Sequence, residues 1–379
     1  MDFDLSDDQQ QLREAVRRWV DKAYGFERHR AIAAAGGFSA EAWGELAGLG
    51  LTALAVPEAH GGLGWGAVEA MLVMEELGRG LLLEPYAPAA LMVPALLAAA
   101  PAELQSRWLP AIAAGDALVV PAHQERGARH RLALVETRAA PVGTQWLLDG
   151  GKSLVPAGDQ ADALLVSARV HGAVDAPDGL ALFLVERRAG GLQCRGHGLQ
   201  DGARAAELQL HDTPATLLAG PGAAWAALEQ AVDVGLAALC AEAVGVMAAL
   251  LALTADHLNT RHQFGVPIAR FQALRHRIAD ARMQLELARS MSWLATLRLA
   301  DEPAVRRRAV SMAKLQIGRS ARFVGQQCVQ LHGAIGVTDD CIASHHFKRL
   351  TCIELTLGDT LHHLGDLSAG LQDSAGVFA

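Results

Sequence analysis

The chain has 379 residues, 51% hydrophobic and 20% charged, with a formal net charge of -8. That composition supports a folded chain of two or three domains and excludes a disordered or fibrous one. The acidic balance speaks against a general nucleic-acid surface, and basic clusters such as RGARHR (126–131) are local. Aromatic residues are scarce while Ala and Leu abound, so a core of helix against helix is expected.

From Leu5 to about Ala114, apolar residues recur at three- and four-residue spacing, which predicts helices. Ser6 is placed as the N-cap of the first, with acids in its first turn. The stretch LTALAVPEAHGGLGW (51–65) interrupts the pattern with Pro57 and a glycine cluster and reads as a loop. GGLGWG within it follows no strand, so a tight turn is favoured over a dinucleotide fingerprint.

From about Asp116 to Gly220 short alternating runs predict a small antiparallel barrel or sandwich, with Asp149–Gly150 as a turn. Four long helical patterns follow, separated near Gly265–Pro267, Asp301–Pro303 and Gly333–Gly336, and predict a four-helix bundle. The expected fold is thus mainly α with a small β domain, divided at 1–115, 116–220 and 221–379.

Val234–Ala255 is long and apolar enough to span a bilayer. Glu242 in mid-span and the lack of basic flanks favour a buried core helix instead. A helix so apolar also leads us to expect an oligomer with a bundle-to-bundle interface. Five scattered cysteines without a CxxC pair fit a reducing cytoplasm and argue against a zinc or disulfide frame. The acidic start, MDFDLSDDQQ, resembles neither a signal nor a transit peptide, so a cytoplasmic location is expected. The pairs His345–His346 and His362–His363 are adjacent and fall on different helix faces; they read as solvated or capping residues rather than metal ligands.

Three stretches in register resemble the acyl-CoA dehydrogenase superfamily. PEAHGGLGWGAVEAMLVMEELGRG (57–80) looks like its loop and following helix, including Glu75, Glu76, Gly78 and Arg79. LNTRHQFGVPIARFQALRHRIAD (258–280) is similar to its arginine-x-glutamine-phenylalanine-glycine-x-x-isoleucine signature, and QCVQLHGAIGV (327–337) to its glycine-rich segment. The resemblance covers nearly the whole chain and implies FAD as cofactor. It places Arg261 on the pyrophosphate, Phe264 at the nucleotide end and Gln272 on the same moiety. Gln330, Gly333 and Gly336 are expected from the neighbouring subunit. The implied reaction is α,β-desaturation of an acyl-CoA thioester: a carboxylate removes the α-proton and the β-hydrogen leaves as hydride to the flavin. An electron-transfer acceptor is the further partner implied.

The chain also departs from that pattern. QERGARHR (124–131) stands where the family has threonine-glutamate-proline-x-alanine-glycine-serine-aspartate, and Leu154-Val155-Pro156 replaces its tryptophan-isoleucine-threonine. Pro156 removes an N–H expected near the flavin ring. Ala334 adds a Cβ in the glycine pair. FKRLTCIELTLGDT (347–360) puts Leu357 where the usual base glutamate sits, and the family's other base position falls on Gly235. Glu354, one turn before, reads as a surface residue. Asp359 reads as an N-cap, or as the base if the chain acts alone. These losses resemble heteromeric family members, in which only one of two unlike subunits is fully equipped, so a heterotetramer is expected beside a homo-oligomer. A catalytically silent subunit and a flavin-dependent monooxygenase on the same fold are the alternatives.

Overall fold

The first helix begins as its sequence dictates. Ser6 Oγ accepts the Gln9 N–H and Gln9 Oε1 accepts the Ser6 N–H, a reciprocal capping box. The computed structural model describes residues 4–143 and 145–374. Helices α1 (Asp7–Ala23), α2 (Phe26–Ala34), α3 (Ala40–Gly48), α4 (Ala67–Arg79), α5 (Val93–Leu97) and α6 (Ala102–Ala114) come first. Strands β1 (Val119–Ala122), β2 (Arg138–Val142), β3 (Gln145–Pro156), β4 (Ala163–Arg169), β5 (Leu180–Glu186), β6 (Leu192–Gly198) and β7 (Arg204–Ala219) follow. Then come α7 (Ala223–Thr260), a hairpin of β8 (His262–Gln263) and β9 (Val266–Pro267), and α8 (Gln272–Leu297). The last helices are α9 (Pro303–His332), α10 (Ile342–Leu355) and α11 (Thr360–Ser374). The fourth C-terminal pattern is therefore two helices, broken between Leu355 and Thr360 where Leu357 and Gly358 both take positive φ.

The chain divides into two compact units. One holds α1, α4 and everything from Leu236 onward; the other holds Arg30–Gly66 and Leu83–Gly235. In the second unit the strands close on themselves. β4 pairs β2 and β5, β5 pairs β7, β7 pairs β3 and β3 pairs β2, while β1 and β6 attach outside this ring. Closure leaves no open edge among the ring strands. The pairings are mainly antiparallel, with parallel contacts among the described residues only at β1–β4 and β2–β4. Asp149–Gly150 is not a hairpin turn: both residues lie inside β3, opposite a bulge in β7 between Leu210 and Thr213. Gly150 has φ 144°, and a Cβ there would lie 2.7 Å from Thr137, so glycine lets the strand bend close to its neighbour. GGLGWG forms the expected tight loop: Gly61 and Gly64 have positive φ, and a Cβ on Gly62 would meet the Val56 carbonyl at 1.9 Å.

In the first unit α7 is the central helix. Its most apolar window is 78% buried, which makes it the core helix of the bundle. Because the chain itself covers that surface, the helix's composition gives no argument for a subunit interface, contrary to the expectation above. Backbones of α4 and α7 touch: a Cβ on Gly245 would fall 1.8 Å from the Glu75 carbonyl oxygen, and one on Gly78 2.3 Å from that of Glu242. Glycine costs about 1 kcal/mol in a helix interior, and here the close crossing requires it. Gly245→Ala should push the helices apart and destabilise the chain by about 1–3 kcal/mol in urea unfolding; an unchanged midpoint would show that the crossing tolerates the extra methyl.

Candidate functional site

Arg261 follows the last residue of α7 and opens a short hairpin. His262 pairs with Pro267 and Gln263 with Val266, and the Ile268 N–H donates to the Arg261 carbonyl. Phe264 and Gly265 form the two-residue turn, with φ 55° and 78°. Positive φ at both positions suits a type I′ turn, which glycine adopts freely and phenylalanine does not. The Phe264 ring is 90% exposed and meets the edge of Phe271 at 6.0 Å. Arg261 makes no ion pair among the described residues, and Gln272 lies exposed in the first turn of α8. These groups are arranged to meet something outside the chain.

The end of α9 lies next to this hairpin. His257, one turn before Arg261, stacks on His332 with ring centroids 4.6 Å apart. The His332 Nδ1–H donates to the Cys328 carbonyl. Gly333 follows at φ 65°, ψ -145°, a conformation essentially reserved for glycine. A Cβ at Gly336 would come within 2.8 Å of the Val329 carbonyl oxygen, so that glycine is required by packing. Ala334 is exposed, and its methyl lines rather than fills a pocket of about 430 Å³ bordered by Gln330, Gly333, Val337 and Phe347. Arg261, Phe264, Gln272, Gln330, Gly333 and Gly336 thus belong to one region of one chain. A guanidinium without an ion pair, two exposed amides and a glycine cradle are a donor set suited to a dinucleotide's phosphates and adenosine end.

Asp359 is elsewhere. It lies beside Lys314, which precedes Gln330 on α9 by sixteen residues, or about 24 Å at 1.5 Å per residue. Asp359 Oδ1 accepts the His362 N–H at 2.8 Å and so caps α11. Glu354 is not a surface residue: it is 6% exposed, and its Oε1 accepts the Thr360 N–H and hydroxyl at 3.0 and 2.7 Å, with Arg322 at 3.3 Å. α11 turns back across the end of α10, which is why a helix-spaced carboxylate becomes buried. Leu357 occupies the turn between them at φ 56°.

Lys314 gave no functional signal in the sequence. It is 1% exposed and donates to the carbonyls of Glu354, Thr356 and Gly358 at 3.0, 2.9 and 2.6 Å. A trace was present as a lysine in the apolar stripe Val310, Lys314, Ile317, Ala321. The histidine pairs also differ from expectation. His346 and His363 are buried, because each pair straddles a helix and turns one ring inward. His362, His363 and Asp366 place ligand-type atoms within 4.8 Å of one another. His363 Nε2, however, faces the Leu357 carbonyl at 3.2 Å, and Asp366 lies within 3.4 Å of His362, so these atoms already have protein partners.

In the other unit, Glu125 and Lys152 form a buried pair at 2.6 Å. Glu125 also accepts the N–H groups of Glu136 and Thr137 and the Thr137 hydroxyl. Burial pushes the Glu125 carboxyl up, but the Lys152 ammonium and these donors outweigh it and hold the carboxyl below its usual range. Glu125 therefore anchors the segment 124–131, and Arg129 takes φ 48° where the resembling family carries glycine. Leu154, also at positive φ, is 46% exposed, and Pro156 ends β3 opposite Ala205.

Residues 222–371 match the model of the acyl-CoA dehydrogenase C-terminal domain, and residues 6–116 that of the N-terminal domain. Acyl-CoA dehydrogenase FadE12 of Mycobacterium tuberculosis is 31% identical over 347 residues, 89% of either chain. Among solved structures, a Tcur3481–Tcur3483 steroid ACAD variant is similar at 31% identity and TM-score 0.88, covering 97% of this chain and 99% of that one. The ChsE4–ChsE5 complex from Mycobacterium tuberculosis is similar at 27% identity and TM-score 0.89, covering 99% and 100%. With helices, barrel and helices in the same order and the signature residues grouped on one surface, the chain belongs to the acyl-CoA dehydrogenase family of flavoprotein oxidoreductases acting on CH–CH groups.

Proposed function

We propose that this chain is one subunit of a heteromeric, FAD-dependent enzyme that desaturates an acyl-CoA thioester, with the base supplied by its partner. The observation that carries this reading is the turn at 354–360. Leu357 stands at the base position, and the carboxylates on either side, Glu354 and Asp359, are both engaged as helix caps. The similar Tcur3481–Tcur3483 and ChsE4–ChsE5 structures are assemblies of two unlike chains, which supports the heteromer. The former is a steroid enzyme, and a bulky, sterol-derived acyl group is the substrate class we favour.

Arg261, Gln272, Gln330 and the Gly333–Gly336 turn would hold the ADP portion of FAD, with Phe264 against its adenosine. FAD supplies the acceptor for the β-hydrogen. The distance of about 24 Å along α9 between this region and the 354–360 turn supports a division of labour in which one chain serves two cofactors across a subunit interface. Arg261→Ala should then weaken FAD binding at least tenfold, since a charge-assisted phosphate bond contributes about 1.5–3 kcal/mol. Unchanged flavin affinity in a titration would remove Arg261 from the site.

Turnover should appear only when a carboxylate-bearing partner is added, and Asp359→Asn should then leave it within about tenfold of wild type. The competing reading makes Asp359 the base, at the expense of its cap. It predicts turnover by the chain alone and a loss of about 10²–10⁴-fold in Asp359→Asn with flavin still bound. A steady-state assay of both proteins, with and without partner, separates the two.

A further inference from the structure

The Arg261 hairpin and the Gly333–Gly336 turn leave from the ends of two helices that run side by side. Thr254 and His257 on α7 meet Cys328 and His332 on α9 in that order. The Thr254 hydroxyl lies against the Cys328 thiol, and one turn on the two imidazoles stack, with 4.6 Å between centroids and 23° between planes. The helices therefore run in the same direction here and end together. Each ring is tied to the segment that follows it. The His257 carbonyl accepts the Arg261 N–H at 2.9 Å and the Thr260 hydroxyl at 3.2 Å, which carries the last turn of α7 intact up to Arg261. The His332 Nδ1–H donates to the Cys328 carbonyl at 2.9 Å and holds its ring, 7% exposed, in place. A Cβ on Gly336 would lie 2.8 Å from the His332 Cβ, so the glycine turn folds directly over the root of that side chain.

We propose that His257 and His332 are positioning residues of the dinucleotide site: their stack locks the ends of α7 and α9 together and so sets the spacing between the Arg261 guanidinium and the Gly333–Gly336 turn. This rests on the reading above that these two segments hold the ADP portion of FAD. A nucleotide that touches both must find them at one separation. Where the two ends move independently, binding has to order them and affinity falls. No backbone hydrogen bond joins the hairpin to the turn among the described residues, so the side-chain seam carries the task. Burial, His332 and the Arg261 guanidinium hold the His257 imidazole below its ordinary value. It therefore stacks uncharged at and above neutral pH, and the contact is one of aromatic faces rather than of charge. An uncharged aromatic ring of another kind should serve in its place.

The test uses the purified full chain in the assembly in which it is isolated, titrated with FAD and, separately, with ADP, the half of the cofactor assigned to this region. His257→Ala should weaken both about three- to tenfold, the range of one aromatic contact. His257→Phe, which restores a ring without a charge, should return both to within about twofold of wild type. His257→Leu fills much of the same space without a ring and should bind like the alanine variant, which keeps the comparison if that variant folds poorly. In an Arg261→Ala background, His257→Ala should cost less than about twofold more, because the guanidinium it places is gone. The positioning role is overturned if either ringless variant binds as tightly as wild type, if His257→Phe is as weak as His257→Ala, or if the Arg261 and His257 losses multiply in full. If Arg261→Ala itself leaves FAD and ADP affinity unchanged, or if wild type binds neither, the reading of the site falls and this role with it.

Discussion

Arg349→Met is expected to destabilise the chain by about 3–5 kcal/mol, several times the loss of a solvent-exposed ion pair. Arg349 on α10 meets Glu242 on α7 in a two-pronged contact, Nε to Oε1 at 2.5 Å and a terminal nitrogen to Oε2 at 2.8 Å. Glu242 is 4% exposed in the most apolar helix of the protein. Methionine keeps most of the volume but leaves a carboxylate in an apolar interior with its main cation gone. The loss comes from desolvation of the orphaned charge rather than from the attraction alone. The double variant Glu242→Leu with Arg349→Met should therefore recover most of the stability. Urea unfolding of the two proteins decides it: a single variant within about 1 kcal/mol of wild type, or a double variant worse than the single one, would show that the pair is not the source of the stability.

Acid should weaken the fold well before the carboxylates titrate. His346 is pushed down to about 4, chiefly by burial and then by His29 and His345, despite a hydrogen bond to Ile342. His363 is pushed down to about 3 by burial, the Lys314 ammonium and His362. Both rings are neutral in the folded chain, whereas in the unfolded chain they protonate near 6.5. Between those values the unfolded chain binds more protons, so stability falls as pH falls. It is fully present above about 6.5, declines by about 1.4 kcal/mol per pH unit for each ring, and levels for His346 near 4. His123, pushed down to about 3 by burial and the Lys152 ammonium, adds a third ring, and the three together give a slope of about 4 kcal/mol per unit. Urea midpoints measured from about pH 7 to pH 4.5 should trace it, and His346→Leu should remove about a third. A flat wild-type profile over that range would show that these rings can charge without unfolding.

Much of the architecture could be read from residues alone because it rests on local rules. Ser6 and Gln9 cap a helix wherever such a pair precedes an amphipathic run. The alternating runs between Asp116 and Gly220 became the closed barrel, and the helical patterns on either side became helices. The dinucleotide-type residues Arg261, Phe264, Gln272, Gln330, Gly333 and Gly336 could be named because short, ordered motifs carry them. Their grouping on one surface could not, since it depends on His257 meeting His332 across seventy-five residues of chain.

Tertiary structure decided the polar interior. Glu354 reads as a surface residue from the family resemblance, yet α11 folds over it and supplies Thr360 as donor. Asp149–Gly150 has the composition of a hairpin turn, but the strand continues because Thr137 approaches the glycine too closely for any Cβ. Lys314, Lys152 and Glu242 each look misplaced in an apolar run until Glu354, Glu125 and Arg349, distant in sequence, are brought to them. Hydrophobic periodicity and capping act over one or two turns, so sequence alone can determine them. A buried charge is set by partners at the far side of a packed core, and only the folded chain chooses those.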